Sequence, residues 1–124
     1  MAAVKLQQIG NTIYFSAVNA TSGREIWRFD GNRRALEKIS EFGEGAADMN
    51  VVNTEVFGEY LLVAERLPLN RGRIWAIHNE SNEWRVVKEF DGPVRLFPST
   101  SQTVWVGVGK SDGPGAALVG ILVR

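Results

Sequence analysis

The residues of this chain whose types bear on chemistry are one histidine, four tryptophans, a loose acidic cluster and a glycine-rich Lys-Ser stretch. His78 is the sole histidine, and there is no cysteine. Zinc and copper sites draw on several imidazole or thiolate ligands, so no transition-metal centre is expected. The lack of cysteine also excludes disulfides and a thiol nucleophile, and it leaves the redox compartment open. A Ser-His-Asp triad assembles in space, so spacing alone leaves a small hydrolase with His78 as base as one reading. Against it, no Gly-x-Ser-x-Gly elbow occurs.

Glu41, Glu44 and Asp48 offer oxygen ligands of the kind calcium takes. The dense Asp-x-Asp-x-Asp-Gly spacing that wraps such an ion is missing, and a solvated acidic loop is the plainer reading. Gly107-Val108-Gly109-Lys110-Ser111 looks like the end of a phosphate-binding loop. That chemistry needs an earlier glycine where Val104 stands, and a helix opening at the Lys-Ser pair. Asp112-Gly113-Pro114-Gly115 forbids the helix, so a hairpin is expected and no cofactor is assigned. Trp27, Trp75, Trp84 and Trp105 are potential stacking platforms for a sugar or a base.

Composition narrows the partners. The chain has 124 residues, 44% hydrophobic and 23% charged, which suits one globular domain with a real core. Fourteen Lys and Arg balance fourteen Asp and Glu. No net field draws in nucleic acid or an anionic membrane, and neither partner is expected. No apolar run reaches the length of a signal peptide core or a membrane span, so a soluble, cytoplasmic protein is the default expectation.

The elements that would position these residues are short strands. Thr12-Ile13-Tyr14-Phe15-Ser16-Ala17-Val18 and Ile26-Trp27-Arg28-Phe29 are β-branched and aromatic, bounded by Gly10-Asn11 and Asp30-Gly31-Asn32. The segment Ala35 to Ile39 reads as a strand or a helical turn, with Gly43 and Gly45 stopping a helix early. The pattern then repeats at an offset of 48 residues: Gly10 meets Gly58, Ile13 Leu61, Ile26 Ile74, Trp27 Trp75, and Phe42 Phe90. In that frame His78 aligns with Asp30, a hairpin-turn position. A third, partial copy places Val104 over Leu61 at an offset of 43, with 117–123 standing where Ile74-Trp75 stood. Periods in this range belong to solenoids and propellers. Leu61-Leu62-Val63-Ala64 and Val104-Trp105-Val106 are apolar at consecutive positions, which predicts strands covered on both faces.

Gly10-Asn11-Thr12-Ile13-Tyr14-Phe15-Ser16-Ala17 followed by Gly23-Arg24-Glu25-Ile26-Trp27-Arg28-Phe29-Asp30-Gly31 resembles the blades of β-propeller proteins. Their strands run G-N-x-L-Y-F-S-A and then G-x-E-L-W-x-x-D-G. The second copy, Gly72 to Asn79, keeps Ile-Trp but lacks the glutamate and the Asp-Gly turn. What persists is a packing pair. The resemblance implies an all-β fold of antiparallel four-stranded propeller-like blades, two complete copies plus a partial third, about eleven strands in all. One β domain over 1–124 is expected, with blade-like repeats at about 10–57, 58–98 and 99–124 and an N-terminal strand at 2–9.

Such blades serve many functions, so no catalytic residue carries over. The expected role is a non-enzymatic binding or scaffolding module for a protein or small-molecule ligand. Rings of this kind close with about four to eight blades, so two readings stand: an open three-sheet arrangement or distorted barrel as a monomer, and, favoured, a homodimer giving six blades around a two-fold axis. An edge strand near 117–123 otherwise lacks cover. Arg95 and Asp48, near-equivalent in the repeat, are candidates to line a pocket, and His78 a candidate at its turn. The alternative is a lectin-like carbohydrate-binding protein using Trp84 or Trp105.

Overall fold

The computed structural model describes residues 2–18, 24–39, 50–81, 83–98, 103–110 and 113–121. Among these the chain is all-β, with eleven strands in three antiparallel sheets. Sheet 1 comprises β1 (Ala2–Ile9), β2 (Thr12–Val18), β3 (Arg24–Asp30) and β4 (Ala35–Lys38). Sheet 2 comprises β5 (Val51–Phe57), β6 (Tyr60–Leu67), β7 (Arg71–His78) and β8 (Trp84–Phe90). Sheet 3 has three strands, β9 (Val94–Leu96), β10 (Val104–Lys110) and β11 (Gly113–Ile121). In each sheet, strands adjacent in sequence are adjacent in space. The segment 35–38 is strand, and Gly107 to Lys110 end β10, antiparallel to β11, with Lys110 opposite Gly113 after a register shift at Gly109. No helix among the described residues is long and apolar enough to cross a membrane.

Residues 48 apart in sequence hold matching places in sheets 1 and 2. Gly10 and Gly58 both sit at positive φ, 57° and 60°, in the β1–β2 and β5–β6 turns, a conformation that costs glycine little. Ile13 faces Phe29 and Phe15 faces Trp27 in sheet 1; Leu61 faces Ile77 and Val63 faces Trp75 in sheet 2. In sheet 3 the same places are held by Val104 opposite Ile121 and Val106 opposite Val119.

The chain divides into two compact units, Met1–Val51 and Val52–Arg124. In the first, Tyr14, Ser16, Ile26 and Arg28 share one face of sheet 1 and are buried. Burial pushes the Tyr14 hydroxyl pKa up, and a hydrogen bond from Arg28 opposes that shift. Arg28 pairs with Glu37, which also meets Arg33 at 3.2 Å. Arg33 in turn binds Asp30 at 3.0 Å and holds its carboxyl below the usual range. Asp30 Oδ1 also accepts the Asn32 amide at 2.9 Å, the Asx arrangement that makes Asp-Gly a turn.

In the second unit, sheets 2 and 3 pack face to face. Leu62, Ala64, Ile74 and Ala76 of sheet 2 form one buried cluster with Val94, Leu96, Val104, Val106 and Ile121 of sheet 3. Asn53 on β5 pins the contact: its side-chain NH₂ donates to the Leu96 carbonyl at 2.7 Å, and its Oδ1 accepts the Leu96 amide at 3.0 Å. An amide side chain there does the work of one rung of a ladder. Leu61 to Glu65 are buried at consecutive positions, so both faces of β6 are covered as expected.

The packing pair of the second copy also has a polar partner. Trp75 Nε1 donates to Glu65 Oε1 at 2.7 Å, and Arg73 binds the same oxygen at 3.0 Å. Glu65 faces Arg73 across β6 and β7, as Ala17 faces Glu25 across β2 and β3. A glutamate thus stands on β6 of this pair, where in sheet 1 the glutamate stands on β3. The Trp27 indole N–H is buried without an acceptor among the described residues.

Candidate functional site

Alternation along β10 sends Val104 and Val106 into the cluster with sheet 2 and leaves Trp105 and Gly107 on the opposite face. Cross-strand partners complete that face: Gly120 opposite Trp105, Leu118 opposite Gly107, and Arg95 of β9 opposite Gly107 on the other side. Phe97 follows on the same side as Arg95, its amide donating to the Trp105 carbonyl at 3.0 Å. A Cβ at Gly107 would meet the Phe97 ring at 2.7 Å, so glycine here lets the ring lie over the strand.

The result is a hollow of about 530 Å³ lined by Phe97, Pro98, Trp105, Gly107, Ala117 and Leu118. Trp105 was expected to lie in a strand covered on both sides; it is half-buried, and among the described residues its face carries this hollow. Every lining side chain is apolar. The site can bury apolar surface; it carries no acid, base or nucleophile in its lining.

A second concavity of about 320 Å³ lies at the β7–β8 turn, lined by Tyr60, His78, Ser81, Glu83, Trp84 and Arg85. His78 Nδ1 accepts the Glu80 amide at 3.1 Å and the Ser81 amide at 3.4 Å. In the neutral ring the proton therefore sits on Nε2, which faces Glu59 Oε2 at 3.7 Å. A triad needs the reverse: an N–H toward the carboxylate from Nδ1, and a free Nε2 toward the serine. His78 ends β7, and its Nδ1 caps the turn that follows.

The Tyr60 ring meets His78 edge-on at 5.1 Å, with the Arg85 guanidinium 5.7 Å above its face. Trp84 stacks edge-to-face on Trp75 at 5.7 Å. The cleft thus gathers aromatic and polar side chains around one concavity.

Of the residues singled out from sequence, Trp84 and His78 come together in this cleft, and Trp105 and Arg95 share the open face of sheet 3. Asp48, with Glu41 and Glu44, lies outside the described residues. No cluster of three or more His, Asp or Glu side chains suited to a metal occurs among the described residues. Sequence reasoning did not single out Tyr60, Arg85, Phe97 or Leu118. The signal for the last two was alternation with Arg95 and with Val119, which the unbroken apolar run of β11 obscures. Compared with protein-family models and with curated proteins, the sequence has no match.

Proposed function

We propose that this chain is a non-enzymatic scaffolding module that self-associates, two copies contributing six sheets to one closed propeller-like ring. The observation that carries the reading is the open face of sheet 3, where Phe97 and Leu118 stand 43% and 62% exposed beside Trp105. Contiguous apolar surface of this kind marks an interaction site. It borders β11, the outer strand of sheet 3 among the described residues, whereas β3 and β7 are each flanked on both sides. Light scattering at micromolar concentration tests the reading. Twice the 13.7 kDa chain mass is expected, and 13.7 kDa alone overturns it.

The cleft at the β7–β8 turn supports a second reading, carbohydrate binding, because it gathers Trp84, Tyr60, Arg85 and Glu83 around one concavity. Glycan-array binding that is lost in Trp84→Ala supports it; an array blank for the wild-type chain sinks it.

A further inference from the structure

We infer that the partner surface for the open face of sheet 3 is the Leu6–Phe15–Phe29 face of sheet 1 in a second copy, met head to tail. This rests on the self-association proposed above and says which surfaces meet.

The chain already makes one contact of this kind, and matching register places extend it. Within the second unit, one face of sheet 2 is covered by one face of sheet 3. The sheet 2 face consists of Leu62 opposite Ala76 and Ala64 opposite Ile74, all fully buried. Shifted by the repeat, those four places in sheet 3 are Trp105 opposite Gly120 and Gly107 opposite Leu118. That is the open face. It is the kind of face that, one repeat earlier, a following sheet covers.

The covering face can be traced in the same way. Sheet 3 covers sheet 2 with Val104, Val106, Ile121 and Leu96. Their register equivalents in sheet 1 are Ile13, Phe15, Phe29 and Leu6: Ile13 faces Phe29 as Val104 faces Ile121, and Leu6 faces Phe15 as Leu96 faces Val106. These four are apolar, as their counterparts are. Leu96 is 2% exposed in its contact, whereas Leu6 is 64% exposed, and Leu36, opposite Phe29, is 57% exposed. Ile13, Phe15 and Phe29 are half-buried, so among the described residues this face, like that of Trp105 and Leu118, keeps apolar surface exposed. The opposite face of sheet 1, with Tyr14, Ser16, Ile26 and Arg28, is already buried.

A second copy satisfies both faces at once. Sheet 3 of each chain meets sheet 1 of the other, which gives two equal contacts. A pairing of sheet 3 with sheet 3 would leave the Leu6 face bare in both chains.

The test uses two variants of the full chain, Leu118→Asp and Leu6→Lys, each at a residue that is exposed in the single chain. Head-to-tail pairing predicts that each variant alone runs as a monomer of 13.7 kDa. An equimolar mixture returns to the dimer mass, because one contact is then intact and the other sets Asp against Lys. Circular dichroism matching the wild type confirms folding, and recovery in the mixture is itself a readout that misfolded chains would not give. If the wild-type chain is monomeric, the self-association reading falls first. If the wild type is dimeric but Leu6→Lys remains dimeric, or the mixture stays monomeric, head-to-tail pairing is overturned while self-association stands.

Discussion

Glu65 meets a tryptophan from the neighbouring strand: it accepts the Trp75 indole N–H, whereas the Trp27 indole N–H finds no acceptor among the described residues. In the first copy a glutamate precedes the tryptophan on β3; in the second, Arg73 stands there and Glu65 reaches across from β6. Read along one strand, the charge is lost. Read across the pair, it is kept, because side chains opposite each other in an antiparallel ladder are nearest neighbours. Glu65 is 6% exposed and its Oε1 takes both the indole N–H and the guanidinium. Glu65→Leu would leave two donors without their acceptor, one of them largely buried, and should cost about 2–3 kcal/mol in urea unfolding followed by tryptophan fluorescence. Glu65→Gln keeps an acceptor oxygen of the same reach and should cost about 1 kcal/mol. A loss below about 0.5 kcal/mol for the leucine variant would show that the network contributes nothing net.

At the scale of the strand, what was legible followed from local patterning. Turn residues and β-branched runs placed the strands, since both reflect backbone preferences that act within a few residues. The consecutive apolar run of β6 correctly signalled two covered faces. Among the described residues the same signal in β10 is met in full on one face only, because a run of apolar residues records which faces need cover and says nothing of whether the same chain supplies it. Trp105 is where that distinction becomes visible, and it turns a packing residue into part of a candidate interface. The Asn53 clamp was not legible at all. Asn53 is polar in a strand, ordinarily a mark of a wet face, and its meaning depends on the Leu96 backbone lying within reach, 43 residues away in sequence. The His78 turn and the Trp84 cleft fall between these cases: the turn followed from alignment with Asp30, whereas Tyr60 and Arg85 joined it only through the pairing of β6, β7 and β8.

For the whole molecule, charge and apolar surface predict different behaviour on assembly, and the two can be separated. Formal net charge is zero at neutral pH, so two copies meet without long-range repulsion or attraction. The faces assigned to each other are apolar; on the sheet 3 side, the charged group at the register positions is Arg95 beside Gly107. Burying Phe97, Trp105 and Leu118 against Leu6, Phe15 and Phe29 would release about 1.5–3 kcal/mol per large side chain taken fully from water. That driving force does not pass through ions. Raising sodium chloride from about 0.05 M to about 0.5 M shortens the screening length severalfold but should move the dimer dissociation constant by less than about threefold. Sodium sulfate at equal ionic strength should tighten it, because sulfate is excluded from apolar surface and favours its burial. Sedimentation equilibrium across both salt series reads the outcome directly. A weakening of about tenfold or more in sodium chloride would mean that charged contacts hold the copies together, and would move the interface away from the Leu6 and Leu118 faces.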